Sequence, residues 1–414
     1  MTATLFHNAS ITTPISGNSP LAGPEQGQVT TFEEGALLCE NGFIAAVGNR
    51  DSVFAVADSA DVDMEVDCEG ACMIPGFVDP HTHICFAKRR EREFSMRLAG
   101  TSYLEILKAG GGILSSVRSV HEASEDDLFE TTLDNVLSAL NFGTTTMEIK
   151  SGYGLTTESE LKMLSVIDRI ARETPLDIVP TFMGAHAVPS EYKDNPDDFV
   201  DILVDEMLPA VAQQGIARYC DVFCEEGVFS VAQSQRILEE ARRLGFLLRI
   251  HADEVHDLGG AGLAAQMRTI SAEHLLAANE ANLRAMADQG VIANVLPATA
   301  YSLKKPYAPV RTMIDLSVPV ALATDCNPGS CFTESMPFIF GLGVMNMNMT
   351  IEEALVAVTL NSAWSVGLQD KVGSLEAGKQ ADFLLLDGET PAVLAYHAGV
   401  SPVTEVYKKG VHVA

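Results

Sequence analysis

The feature that most constrains this chain is an alternation, from residue 73 to residue 371, of short apolar runs with segments of helical period. The apolar runs are Met73–Val78, Thr144–Ile149, Leu176–Met183, Tyr219–Cys224, Phe246–Ile250, Arg268–Ala272, Val291–Leu296 and Val318–Ala323. Runs this short and this continuously apolar have the pattern of strands buried on both faces. Helices are expected between them at Tyr103–Lys108, Asp126–Asn141, Glu158–Arg172, Asp197–Gln213, Val231–Leu244, Gly262–Met267 and Glu280–Ala287, with another at Ile351–Val366. Eight strands alternating with helices predict an α/β fold, a TIM (β/α)8 barrel.

The two ends read differently. Short β elements are expected at Ala3–His7, Gln28–Thr31, Ala36–Cys39, Phe43–Val47 and Met64–Asp67, with a Gly/Pro/Ser-rich loop at Ser16–Gly27. No helix-period pattern there is long enough to close a core. The C-terminal stretches Ala381–Asp387 and Val403–Lys408 are again strand-like. The expectation is therefore a small composite β-sandwich domain from residues 1–72 plus 372–414, around a barrel of residues 73–371.

A net charge of −29 argues against nucleic acid as a partner, because phosphate binding wants a basic surface. No apolar stretch is long enough to span a bilayer, and Met1–Ser10 lacks the basic and apolar regions of a signal peptide. The eight cysteines contain no CxxC pair, which points to reduced thiols rather than a disulfide framework or a Cys-rich zinc site. Together these lead to the expectation of a cytoplasmic enzyme with neither nucleic acid nor membrane as partner. The run Lys88-Arg89-Arg90-Glu91-Arg92 is a local exception to the acidic composition and could attract an anionic substrate.

In a (β/α)8 barrel the chemistry sits at the C-terminal ends of the strands. The first strand ends in Asp79-Pro80-His81-Thr82-His83, and alternation along an extended chain points His81 and His83 the same way. Alone, such a pair is more often structural than functional. The other strand ends supply Glu148 and Lys150, His186, Glu225 and Glu226, His251 with Glu254, Glu273-His274, and Asp325 followed by Asn327–Ser330. Five of the ten histidines thus fall on one expected rim. His81, His83, His251 and Asp325 form a donor set of a kind that zinc or iron accepts. A metal there lowers the pKa of a bound water toward about 7. Glu254, three residues after His251, is placed to move protons, and His274 to polarise a carbonyl. The implied chemistry is metal-assisted hydrolysis of a C–N bond.

Those residues lie in stretches that resemble the amidohydrolase superfamily: PGFVDPHTH, HADE, AEH and the aspartate after the eighth strand. Further stretches narrow the resemblance to the imidazolonepropionase family of cyclic-amide hydrolases. They are DPHTHICFAKRRERE, EFSMRLAGTSYLEILKAGGGILSSVR, EIKSGYGL, TFMGAHAVP, IHADE, SAEHL, ATDCNPGS and GSLEAGKQADF. The resemblance implies conversion of 4-imidazolone-5-propanoate and water to N-formimidoyl-L-glutamate, a step of L-histidine degradation. It implies one zinc or iron held by His81, His83, His251 and Asp325, and a homodimer. Arg90, Tyr153, His186, Glu254, Asn327, Gly329 and Ser330 match the family's substrate contacts. Arg90 offers a planar fork suited to the substrate's propionate. Glu254, His274 and Asp325 are the expected catalytic residues, with the water's proton going to Glu254 or Asp325.

Several residues keep a second reading. Lys150 would sit at the second strand, not the fourth, so it is expected to pair with Glu148 rather than bridge two metals. Glu225 stays open as a ligand for a second metal. Cys326 is expected to be a small buried filler, and Gly110–Gly112 a tight loop over the site rather than a phosphate loop. Two other functions remain in view. One is deamination of a cytosine- or guanine-like ring on the same scaffold; the other is an inactive scaffold protein, which would be expected to have lost metal ligands.

Overall fold

The computed structural model describes residues 3–58, 60–101, 105 and 110–414. Two eight-stranded sheets organise it. The first gathers both ends of the chain: β1 (Ala3–Pro14), β2 (Val29–Glu40), β3 (Phe43–Asn49), β4 (Met64–Asp67) and β5 (Cys72–Pro75) join three strands from the C-terminal end. The second is parallel: β6 (Phe77–Asp79), β7 (Thr144–Lys150), β8 (Asp177–Ala185), β9 (Tyr219–Cys224), β10 (Leu247–Ala252), β11 (Ser271–His274), β12 (Ile292–Val295) and β13 (Val320–Leu322) follow one another in sequence order. The chain then returns to the first sheet with β14 (Phe383–Leu386), β15 (Val403–Lys408) and β16 (Val411–His412).

The eight-strand alternation is thus the barrel. Its strands are buried almost throughout, as continuous apolar runs require. Sequence start signals are used as such: Ser124 with Asp127, Ser230 with Gln233 and Thr350 with Glu353 each form a reciprocal cap at the start of a barrel helix. The seam between β13 and β6 carries no regular ladder. It is closed instead by bonds that run into the rim. Asp79 accepts from the Thr324 backbone N–H and hydroxyl at 3.1 and 2.5 Å, and the Asp325 N–H donates to the His81 carbonyl at 3.1 Å. The His83 N–H donates to the Cys326 carbonyl at 2.9 Å. Lower on the same seam, the buried Gln26 side chain bonds both the N–H and the carbonyl of Val320, so the N-terminal loop supplies the missing neighbour.

The end sheet has β1 at its centre, paired with β2 on one side and with β4 and then β5 on the other. Phe6 meets Phe383 and Tyr407 edge-on, with centroids 4.8 and 5.1 Å apart, so strands from the two termini share one core.

Several expectations change in detail. The run Met73–Val78 is two strands, not one: Cys72–Pro75 belongs to the end sheet and Phe77–Asp79 to the barrel. The change of sheet occurs at Gly76, where a Cβ would stand 2.3 Å from the Thr145 hydroxyl. Gln28–Thr31 and Ala36–Cys39 merge into β2, and a helix at Arg50–Ala57 lies among the N-terminal strands. Ile351–Val366 divides at Thr359 into two helices. Further helices at Ile113–Glu122, Pro297–Leu303, Val310–Asp315 and Met336–Met347 were not foreseen. The helix expected at Tyr103–Lys108 lies, apart from Glu105, outside the described residues.

Candidate active site

The C-terminal rim of the barrel brings His81, His83, His251 and Asp325 together. The Nε2 atoms of His83 and His251 are 3.2 Å apart, and the Asp325 Oδ1 lies 3.5 Å from His81 Nε2 and 3.7 Å from His83 Nε2. All four residues are buried. His81 Nε2 and Asp325 Oδ1 have no hydrogen-bond partner. Buried polar atoms are normally satisfied, so an orphan imidazole nitrogen and an orphan carboxylate oxygen, beside two further Nε2 atoms that face only each other, are what a bound cation would explain. The three histidines also offer ring nitrogens all within 4.8 Å of one another.

What aims these rings lies deeper in the barrel. His81 presents Nδ1 to Glu273 Oε2 at 2.8 Å, and Glu273 accepts in turn from the Ser271 hydroxyl at 2.5 Å. His251 presents Nδ1 to Asp221 Oδ1 at 3.1 Å. The other Asp221 oxygen lies 2.9 Å from Lys150 Nζ, which is 2.7 Å from Glu148 Oε1. Glu148 also accepts from the Thr82 N–H, while the Thr82 hydroxyl donates to the Glu148 carbonyl. Thr82 is therefore pinned on the side opposite the two histidines that flank it. Arg249 completes the layer, stacked 4.6 Å over the Tyr219 ring and donating to the Pro80 and Ser365 carbonyls. A carboxylate on Nδ1–H fixes each ring's tautomer and leaves Nε2 free for a metal.

Burial sets the protonation states. It pushes His81, His83 and His274 well below the usual histidine value, with nearby Lys150 and histidines adding to the effect, so their lone pairs are free at neutral pH. His186 is pushed down to about 3, again by burial first. Burial tends to raise Asp221, but His251 and Lys150 outweigh it and hold the carboxyl below its ordinary range. Asp325 is raised to about 6 by burial, and Glu254 to about 7 by burial and then by the charge of Asp325. Two carboxyls raised beside the same nitrogen cluster are a further mark of a place suited to a cation.

The remaining expected residues surround this centre. Glu254 Oε2 is 3.8 Å from His274 Nε2. His186 stacks on His83, with centroids 4.7 Å apart, and its Nδ1 is held by the Gly152 carbonyl at 3.0 Å. The Tyr153 ring lies 5.2 Å from His186 and 6.1 Å from His83. The Asn327 Oδ1 accepts from the Gly329 and Ser330 N–H groups and the Ser330 hydroxyl, and its Nδ2 donates to the Asp325 carbonyl. That turn reaches Arg90, because a Cβ on Gly329 would lie 2.4 Å from Arg90 Nη1. Asp253, His274, Leu275 and Asp325 all adopt left-handed φ values, between 51° and 69°, at or just beyond the strand ends. Non-glycine residues are held there only where their surroundings over-determine them, and such strain clusters at functional sites.

Other residues fall outside the centre. Glu225 accepts from the Val255 and His256 N–H groups and lies 3.0 Å from His256 Nδ1, so it braces the loop after Glu254. Among the described residues it belongs to no metal-capable group. Cys326 is buried, with its thiol raised well above the usual value by burial. Lys150 and Glu148 are the inward pair expected of them. Asp221, Arg249 and the role of Glu273 were not foreseen, although counting back two from His251 places Arg249 on the same inner face.

Comparison with known proteins agrees with this geometry. A family model described as "Amidohydrolase family" matches residues 72–413. An imidazolonepropionase of Syntrophobacter fumaroxidans is 61% identical over 99% of this chain and 96% of its own length. One of Desulfotalea psychrophila is also 61% identical, over 99% of each chain. Among solved structures, an adenosine deaminase from Xanthomonas campestris with bound zinc matches at TM-score 0.72 and 18% identity, covering 99% of this chain and 92% of its own. At that identity the likeness extends to the fold alone.

Proposed function

The chain belongs to the imidazolonepropionase family of amidohydrolases, and from that membership we propose how its barrel rim hydrolyses the cyclic amide of 4-imidazolone-5-propanoate to N-formimidoyl-L-glutamate. The observation that carries the reading is the convergence of His81 Nε2, His83 Nε2, His251 Nε2 and Asp325 Oδ1 on one point, beside a carboxyl of raised pKa at Glu254.

These four residues would hold one metal, zinc or iron, whose positive charge would favour ionisation of a water near neutral pH. Glu254 takes a proton from the attacking water. Its value of about 7 is matched to accepting a proton and then giving it up near neutrality. His274, neutral through burial, presents Nε2 on the Glu254 side of the site and donates to the carbonyl oxygen as negative charge builds on it. The ring C–N bond breaks, Glu254 passes its proton to the departing nitrogen, and the former carbonyl carbon becomes a carboxyl whose remaining proton is taken up by the basic formimidoyl group, leaving a carboxylate. Tyr153 and His186 border the ring, and Arg90 with the Asn327–Ser330 turn receives the propionate. We further propose a homodimer working in the cytoplasm, in line with the soluble metabolic role of the family.

Deamination of a nucleobase-like ring would use the same Glu254 and His274. Arg90 favours the acid-bearing substrate, because the N–H arm not taken by Glu93 can bond a carboxylate, which a neutral base does not offer. The test is to supply both substrate types to the purified metal-loaded protein. Release of N-formimidoyl-glutamate supports the proposal; release of ammonia from guanine or cytosine, with imidazolone propanoate untouched, would replace it.

A further inference from the structure

Arg90 does not meet the substrate as a free cation. Its Nε and Nη2 donate to the same oxygen of Glu93, at 3.1 and 2.7 Å, and that oxygen also accepts from the Gly112 N–H at 3.1 Å. Both partners of the pair are largely buried, with side chains 15% exposed. The pair is electrically neutral, and only the arm of Arg90 facing Gly329 is left for a ligand.

Next to it is a cavity of about 260 Å³ bordered by Arg90, Phe94, Arg97, Ser302, Gly329 and Phe332. Arg89 and the exposed Glu91 lie at its edge. The cavity is bordered by Gly329 and Ser330 of the turn that begins two residues after Asp325, so it shares the Arg90–Gly329 contact with the proposed substrate site. Arg97 borders it, and the Arg97 Nη2 is buried with no hydrogen-bond partner. Arg97 packs over the Phe94 ring at 5.6 Å, and Glu93 is near enough to act on its charge. Burial, and then the charge of Arg90, lowers its guanidinium pKa. A buried guanidinium arm without an acceptor, beside another guanidinium, is destabilised until an anion enters.

We propose that Arg97 is a second carboxylate-binding residue of this site, and that the substrate's propionate is held between Arg97 and the free arm of Arg90, with Glu93 fixing Arg90 in place. The proposal rests on the imidazolonepropionase reading for the identity of the carboxylate. It explains why an acidic protein places this arginine on a helix, Glu91–Leu98, that has no buried residue of its own. It also assigns the specificity for an acid-bearing substrate to a pair of cations rather than to Arg90 alone.

The test uses the metal-loaded protein, its Arg97→Gln and Arg97→Lys variants, and two probes: imidazole-4-propionate and the corresponding neutral amide. Calorimetry should find propionate binding weakened about tenfold or more in Arg97→Gln, partly restored in Arg97→Lys, and amide binding unchanged. The KM for 4-imidazolone-5-propanoate should rise by a similar factor with kcat little altered. Propionate binding within twofold of the parent, or equal weakening of the amide, would overturn the clamp. If the parent protein fails to turn over imidazolone propanoate, the functional reading fails, while the calorimetric comparison still decides the role of Arg97.

Discussion

Replacing Asp221 with alanine should weaken metal binding without touching a proposed ligand. Asp221 Oδ1 is the acceptor that holds His251 Nδ1 at 3.1 Å, and both groups are fully or nearly fully buried. Without it, His251 loses the partner that fixes its tautomer and ring plane, and Lys150 keeps only Glu148. Loss of a carboxylate behind a metal-binding histidine commonly costs ten- to a hundredfold in affinity, about 1.4–2.8 kcal/mol. Removing one member of a buried charge network also destabilises the metal-free fold, by about 3 kcal/mol or somewhat more. Asp221→Asn keeps an acceptor of the same size, so its loss of affinity should lie near the lower bound. The assay is competition for zinc against a chromophoric chelator, paired with urea unfolding of the metal-free proteins. The predicted order of affinity is parent, then Asn, then Ala. An alanine variant that holds zinc as tightly as the parent would refute the reasoning that the inner carboxylates aim the ligands.

Glu254 stands at about 7 because of burial and then Asp325, so a base that must be ionised loses activity as pH falls through that value; a bound cation moves this limb lower, and Glu254→Gln should abolish both the limb and most of kcat. For stability the sign is opposite: a carboxyl raised from 4.5 favours the fold when protonated, so the metal-free protein should lose that contribution as pH rises from about 4.5 to 7, which urea titrations across that range would reveal. Arg90→Ala should raise KM by about ten- to a hundredfold, the worth of a lost charged hydrogen bond, with metal content unchanged. Gly329→Ala should raise KM severalfold by pushing a methyl against Arg90 Nη1, again with metal retained; an unchanged KM would mean that the turn and Arg90 do not act together.

The barrel was legible because most of its strands are buried on both faces and so leave short, largely apolar runs at regular spacing. The histidine pair was legible because alternation places both rings on one side, and Thr82 bears this out by bonding Glu148 on the other. What escaped detection has physical reasons. Asp221 and Arg249 are single charges inside apolar strands, and their value comes from partners 30 and 169 residues away. The split of Met73–Val78 is invisible in hydropathy, since both halves are buried; only the close approach of Thr145 to Gly76 marks it. Arg50–Ala57 covers eight residues, about two turns, too few for a period to stand out. Glu93 and Arg97 fall in a charged stretch where no helix was expected, and only the cavity beside Arg90 separates them from a solvated face.

The most direct test of the central claim is to measure metal content and product together on one preparation. X-ray fluorescence would give metal per chain, and hydrolysis of 4-imidazolone-5-propanoate would be followed before and after chelation and readdition. The account predicts about one zinc or iron per chain, N-formimidoyl-glutamate as product, loss of activity with loss of metal, and recovery when it is restored. Full hydrolysis by protein stripped of metal would contradict it.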